Sequence, residues 1–366
     1  MKFYCDKAEL LNAVNNVSKA ANPSSSIEIL KGIKFEAEND LTIRASNLEI
    51  SIECKVNATI EEGGETVLEA RMLGDILRKS DEGVINFDVK ENNEAFIYTP
   101  KNKFNISGMD PKEFPKQTEV EAEREIKLKT RDFKNIVRDT VFSTAQDESR
   151  PILTGLKFEI SKTEMKVISV DGYRLSIRKQ IIPERNDEFE FIIKGRIAND
   201  ILKTLTDDED DLKISFNQNT VIFEFLNFKV TSCLMGGEYI NYNQFVSRQS
   251  KFCVNVDRRL ITQTIERASI LINFDDNRIP VILEIDGSVL SVKCHTKKGD
   301  FNEEIDIGNT NETLKIGLGS KFILEALKAV EDDNIFMNFS DEKSPCVITP
   351  IEGDKFYYMV LPKTIN

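Results

Sequence analysis

Apolar residues recur at two spacings along this chain, and the two spacings alternate in a fixed order. The stretches DKAELLNAVNNVSKA (6–20), KTRDFKNIVRDTVFST (129–144) and DRRLITQTIERASIL (257–271) carry apolar residues at i, i+3 or i+4, which lays one apolar stripe along a helix. Asp6 and Asp257 stand where a carboxylate would accept the free amides of a first helical turn. Alternation of period two marks strands at VINFDVK (84–90), LKISFNQ (212–218) and NIFMNFS (334–340), each after a second helical stretch: ARMLGDIL (70–77), GRIANDIL (195–202) and SKFILEAL (320–327).

These second helices are copies of one another. Arg71, Arg196 and Lys321 fall 125 residues apart, as do Asp75, Asp200 and Glu325, and Leu77, Leu202 and Leu327. ILKGIKFE (29–36) returns as ILTGLKFE (152–159), 123 residues later, and more loosely as IPVILEI (279–285). A further strand follows each, in LTIRASNLEISIE (41–53), MKVISVDGYRLSIRK (165–179) and LSVKCHTKKG (290–299). The repeating unit is strand, helix, several strands, helix, several strands. KQTEVEAERE (116–125) and SRQSK (247–251) lack apolar periodicity and read as linkers, which places domains at 1–118, 126–247 and 251–366. The expected fold is α+β, three copies of an antiparallel sheet backed by two helices.

A length of 366 residues, 40% hydrophobic and 30% charged, suits two or three folded domains. No stretch approaches the roughly 18 to 20 apolar residues of a membrane span, and MKFYCDKAELL lacks the basic start and apolar run of a secretory signal, so a cytoplasmic protein that does not touch membranes is expected. The six cysteines (Cys5, Cys54, Cys233, Cys253, Cys294, Cys346) show no metal-like pairing and read as reduced thiols. A single histidine, His295, cannot build a two-histidine metal site, and the chain has neither GxGxxG nor GxxxxGK[ST]. The acidic run TDDEDD (206–211) reads as a solvated turn with no neighbour to tune an acid. No metal, no cofactor and no catalysis are expected.

A net charge of -13 argues against a broadly basic nucleic-acid binder. Yet the six helical stretches, taken over 6–20, 71–80, 129–144, 196–205, 257–271 and 321–330, together carry +7, leaving -20 for the rest of the chain. If the helices share one face, that face is basic under an acidic exterior, which suits a protein that surrounds nucleic acid without adhering to it. Ordinary solvated charge on helices accounts for the same numbers.

RPILTGLKFE (150–159), SVDGYRLS (169–176), FPK (114–116) and YYMVLP (357–362), set in three repeats of about 120 residues, resemble the bacterial sliding clamp family, the beta subunit of DNA polymerase III, over the whole chain. The resemblance implies a head-to-tail homodimer of six similar domains, a ring with helices lining the hole. Double-stranded DNA passes through it without sequence preference, and the DNA polymerase III alpha subunit, the clamp loader, other polymerases and repair proteins dock on it through short linear motifs.

By resemblance, Arg71 and the loop at Ser24 face DNA in the first domain, with Arg150, Pro151 and Ile152 in the second; Ser24 departs from the basic residue relatives commonly carry there. The 125-residue spacing adds Arg196, Lys203 and Lys321. The partner-peptide pocket of the family maps onto Leu153, Val170, Gly172, Tyr173, Arg174, Leu175, Ile240, Phe245, Met359, Val360, Leu361, Pro362 and Ile365, with Gly172 allowing a turn that presents Tyr173 and Arg174 outward. Leu153 and Leu175 read equally well as core residues. The terminal PKTIN departs from the family's hydrophobic and basic finish. For the dimer, Phe104 and Ile106 are expected to meet Ile270 and Leu271, with Lys101 and Lys103 facing Glu303 and Glu304. On the residues alone two rivals stay open: an enzyme of unknown type, and a three-repeat scaffold that binds a protein or polysaccharide as a monomer.

Overall fold

The computed structural model describes residues 1–116, 121–205, 209–246 and 250–365. The expected domain ends at 118 and 247 lie outside the described residues. The helices are α1 (Lys7–Val17), α2 (Ala70–Lys79), α3 (Thr130–Val141), α4 (Gly195–Leu202), the short α5 (Asn243–Val246), α6 (Arg258–Phe274) and α7 (Ser320–Lys328). Asp6 Oδ1 accepts the amides of Ala8 and Glu9 at 2.9 and 3.0 Å, and Asp257 Oδ1 accepts that of Leu260 at 2.8 Å, so both expected caps form. Caps of this kind each contribute about 1 kcal/mol. Glu69 caps α2 in the same way, accepting the amides of Arg71 and Met72.

The chain divides into two compact units, one of Met1–Phe133 with Asp200–Leu234, the other of Lys134–Asn199 with Met235–Asn366. In the first unit, one sheet runs in the order Ala58–Glu62, Lys2–Asp6, Val84–Val89, Glu94–Tyr98, Lys103–Ser107. A second runs Arg124–Lys129, Asp211–Phe216, Thr220–Phe225, Phe228–Cys233, Ile50–Val56, Leu41–Ser46, Gly32–Ala37, Gly64–Glu69. The other unit has an eight-stranded sheet, Phe189–Lys194, Gly155–Ile160, Glu164–Val170, Arg174–Ile181, Phe356–Val360, Cys346–Pro350, Asn334–Phe339, Phe252–Asp257. Its five-stranded partner runs Gly299–Asp306, Val289–Thr296, Val281–Asp286, Thr313–Leu318, Pro362–Lys363.

All strand pairings are antiparallel, as expected, but each repeat gives strands to two sheets, and both eight-stranded sheets cross from one repeat into the next. The Phe228–Cys233 strand pairs with Ile50–Val56, and Arg174–Ile181 pairs with Phe356–Val360. Backbone groups that would otherwise be unpaired at a repeat's edge are satisfied by the neighbouring repeat.

The segments 41–53, 165–179 and 290–299 each hold parts of two strands, where a single further strand was expected. In the first two the chain reverses by the same device. Asn47 Oδ1 accepts the amides of Glu49 and Ile50, both at 3.0 Å, and Asp171 Oδ1 accepts those of Tyr173 and Arg174 at 2.9 and 3.1 Å. The residue in between is left-handed in both, Leu48 at φ 75° and Gly172 at φ 92°.

Packing follows the helical stripes. Leu10, Val14 and Val17 of α1 are fully buried, and Phe3 stacks on Phe87 with centroids 4.7 Å apart in the same unit. In the other unit Ile261, Ile265, Ala268 and Ile272 of α6 pack with Ile323 and Leu327 of α7 over the sheets. α6 runs past the expected 271, because Ile272 prolongs its buried stripe, and ends at an exposed Phe274.

Candidate functional site

Side chains of the adjacent strands Glu164–Val170, Arg174–Ile181 and Phe356–Val360 alternate between two faces. On one face Ser169 donates to the Thr140 carbonyl at 2.6 Å and Tyr358 to the Asp139 carbonyl at 3.0 Å, which turns that face toward α3. Their neighbours Val170, Leu175, Ile177 and Met359 point the other way and join Leu153, Ile168, Ile192 and Val347 in one apolar cluster.

The segment from Met235 to Val246 lies against this cluster. The Tyr239 hydroxyl donates to the Gly155 carbonyl at 3.2 Å, the Tyr242 hydroxyl to Glu159 Oε2 at 2.6 Å, and the Tyr357 hydroxyl to the Phe245 carbonyl at 3.4 Å. Burial pushes the Glu159 carboxyl up, but the hydrogen bonds from Tyr242 and Lys157 outweigh it and hold the group below its ordinary 4.5. Burial and the same carboxylate raise the Tyr242 hydroxyl.

The residues expected to line a peptide pocket separate into two groups. Leu153, Val170, Leu175 and Met359 sit within the cluster, with Ile240, Phe245 and Leu361 partly buried against it. Gly172 and Tyr173 form the nearby turn, and Tyr173 is 64% exposed, stacked on Phe322 at 5.9 Å.

The structure turns Arg174 inward rather than outward. It is 6% exposed; Nε donates to Asp171 Oδ2 at 2.9 Å, the other two nitrogens meet Glu325 and the Phe142 carbonyl, and the guanidinium lies 4.6 Å from the Phe322 ring centroid. An unpaired buried guanidinium is too costly, so it is fully paired. Val360 alternates with Met359 and is buried in the core around α6. Pro362 pairs with Leu318 in the five-stranded sheet, and Ile365, past the end of that strand, lies against Gly317.

Met235, Tyr239, Tyr242, Val347 and Tyr357 belong to the same patch and were not anticipated. The paired tyrosines in EYINY (238–242) were the available signal.

Arg71, Arg196 and Lys321 each occupy the second position of their helix and are exposed. Lys203 follows α4, exposed, 3.5 Å from Asp200. Ser24, Arg150 and Pro151 are exposed. Ile152, expected to face DNA, packs instead against the apolar cluster with Leu153.

The two five-stranded sheets each end in a strand with one unpaired edge among the described residues. In Lys103–Ser107, Phe104 and Ile106 stand opposite Ile97 and Ala95 on the core-facing side, while Lys103 lies on the other side over the Phe96 ring at 4.8 Å. In Gly299–Asp306, Phe301 and Ile305 face the core, and Asp300, Glu304 and Asp306 are exposed on the opposite side. One edge is therefore basic outside and the other acidic, and both are apolar inside. Glu303, expected to face a lysine, is held by its own chain, accepting from Arg267 Nε at 2.8 Å and Thr264 Oγ1 at 2.9 Å. Ile270 is 56% exposed near the end of α6, whereas Leu271 packs partly on the core.

Models of the DNA polymerase III beta subunit match nearly the whole chain: the N-terminal domain at 1–118, the central domain at 127–241 and the C-terminal domain at 244–364. The beta sliding clamp of Halalkalibacterium halodurans is 30% identical and that of Staphylococcus aureus 28%, each over 99% of both chains. Among solved structures, a putative DNA polymerase III beta subunit from Eubacterium rectale superposes with a TM-score of 0.95 at 31% identity, and the DNA polymerase sliding clamp of Bacillus subtilis with 0.95 at 28%, both over 100% of each chain. With three domain models in order and relatives matched end to end, the chain belongs to the bacterial beta sliding clamp family, the beta subunit of DNA polymerase III.

Proposed function

We propose that two copies of this chain, each of three domains at 1–118, 126–247 and 251–366, close head to tail into a ring around duplex DNA and tether the replicative polymerase to its template. The family is a processivity factor rather than a catalyst, and the tether is topological: residence on DNA depends on opening the ring, not on the strength of any DNA contact. The observation that carries this reading is the pair of complementary sheet edges, Lys103–Ser107 and Gly299–Asp306. Joined antiparallel, they satisfy each other's free amides and carbonyls, bring Lys101 and Lys103 toward Glu304 and Asp306, and set apolar side chains together beneath. Because the two edges differ, one chain cannot pair with itself through a single seam, and two identical seams close a ring of two copies.

DNA inside such a ring meets Arg71, Arg150, Arg196, Lys203 and Lys321, which as phosphate-directed cations carry no base code and so permit sliding. The apolar cluster around Leu153, Leu175 and Met359 takes the linear motifs of the polymerase alpha subunit, the loader and repair proteins, with apolar anchors supplying affinity. Negative-stain electron microscopy with class averaging tests the ring directly. Six-lobed closed particles with a central hole are expected; compact particles or open crescents would overturn the reading in favour of a monomeric scaffold.

A further inference from the structure

Phe274 is the only exposed phenylalanine among the described residues, at 77%, and it ends α6 one turn beyond the exposed Ile270. Two large apolar side chains four residues apart share one side of a helix end. A scattered exposed leucine needs no explanation, but an aromatic ring beside an isoleucine on one helix end is a contact surface without its partner.

A receptor of matching chemistry lies in the unit that carries the basic sheet edge. Between α2 and the Lys103–Ser107 strand is a cleft of about 430 Å³ lined by Met72, Ile76 and Phe104, with the charged Arg71, Lys79, Glu69 and Asp75 beside them. Met72 is 47% exposed, so the cleft presents a flexible thioether to whatever enters, and sulfur packs favourably against an aromatic ring.

We propose that Phe274 of one copy inserts into the Met72, Ile76 and Phe104 cleft of the other and anchors each seam of the ring. This rests on the head-to-tail reading above and adds to it an anchor, Phe274, together with its receptor. The second copy is the occupant because the cleft and the anchor each adjoin one of the two complementary edges. Phe104, a wall of the cleft, lies in the basic edge strand. α6 packs on the acidic edge strand through the bonds of Arg267 and Thr264 to Glu303. Pairing the edges in the sense their charges favour carries the end of α6 toward α2. The ring of Phe274 then leaves water against three apolar side chains, the desolvated aromatic contact that dominates interfaces.

Two measurements decide it, both on the full chain with Cys233 and Cys253 changed to serine to remove the exposed native thiols. First, Met72→Cys and Phe274→Cys proteins are oxidised separately and as a mixture, then resolved without reductant. A disulfide-linked dimer in the mixture alone is expected; a dimer from Met72→Cys alone would mean like surfaces meet, and no linked dimer in any sample would mean the residues do not, either of which overturns the proposal. Second, sedimentation equilibrium compares wild type with Phe274→Ser, whose far-UV circular dichroism spectrum should not change because the side chain is exposed in the single folded chain. A rise of about 30-fold or more in the dimer dissociation constant is expected for loss of an interface anchor. An unchanged constant overturns the Phe274 anchor while leaving the ring intact, whereas a wild type that is monomeric at every concentration overturns the head-to-tail reading as well.

Discussion

The backbone amide of Leu361 donates to the carbonyl of Tyr173 across 2.9 Å, tying the end of the Phe356–Val360 strand to the turn of SVDGYRLS. Two family motifs separated by almost half the chain are thus one structural feature, and Arg174 beneath them fixes the turn to α7 through Glu325.

Arg174→Ala should therefore lower stability by about 3 kcal/mol or more, because Asp171 and Glu325 lose a shared, largely buried cation. Tyr173→Ala, at an exposed position, should stay within about 0.5 kcal/mol. Urea denaturation of the two variants separates them; equal losses would contradict the buried role of Arg174.

A fluorescently labelled peptide containing glutamine, leucine and phenylalanine should bind the wild type in an anisotropy titration. Leu361→Ala should weaken it about tenfold with little loss of stability, since Leu361 is only partly buried. Leu175 is 1% exposed, so Leu175→Ala also costs about 2 to 5 kcal/mol of folding, and its binding is to be read at a temperature where the variant is folded. Wild-type affinity in a protein carrying both Leu175→Ala and Leu361→Ala would move the site elsewhere.

Ile270→Asp should yield monomers by buried charge at the seam, with its fold intact because Ile270 is exposed in the chain by itself. Leu271→Asp also places a charge against the core and should unfold the protein at lower temperature. Light scattering and thermal melts distinguish the two, and a full dimer mass for Ile270→Asp would remove this residue from the interface.

Alanine at Arg71, Arg196 or Lys321 should reduce the salt dependence of equilibrium DNA binding, rather than the residence time of the closed ring, by up to about 2 in the log-log slope per variant, one for each copy, equally for all sequences. A change that depended on sequence would point to base contacts instead.

Glu159 titrates below its ordinary 4.5 when folded, so the stability it contributes is present above that value and is lost as pH falls through the depressed one. Tyr242→Phe removes one of the bonds that depress it, and should flatten the fall in thermal midpoint below about pH 4.5. Parallel curves for variant and wild type would assign the acid loss to other carboxylates.

Much of this was legible in the residues because it is local or repeated. A helical stripe requires only a spacing of three or four, and an aspartate at its start requires only the next two or three amides, so α1, α6 and their caps could be read directly. The 125-residue spacing of Arg71, Arg196 and Lys321 gave the three repeats without any structure. Which face a strand residue takes was legible only in part. Arg174 and Val360 sit beside cluster residues in sequence, and the period of two sends them to the opposite face, where pairing with Asp171 and burial beside α6 decide their roles. Tertiary structure alone decided that strands whose paired residues lie 174 or more positions apart join one sheet, that Tyr239 and Tyr242 cover one of these sheets, and that Glu303 is occupied by Arg267. These depend on which surfaces meet once the chain has closed its long loops, and no local spacing encodes that.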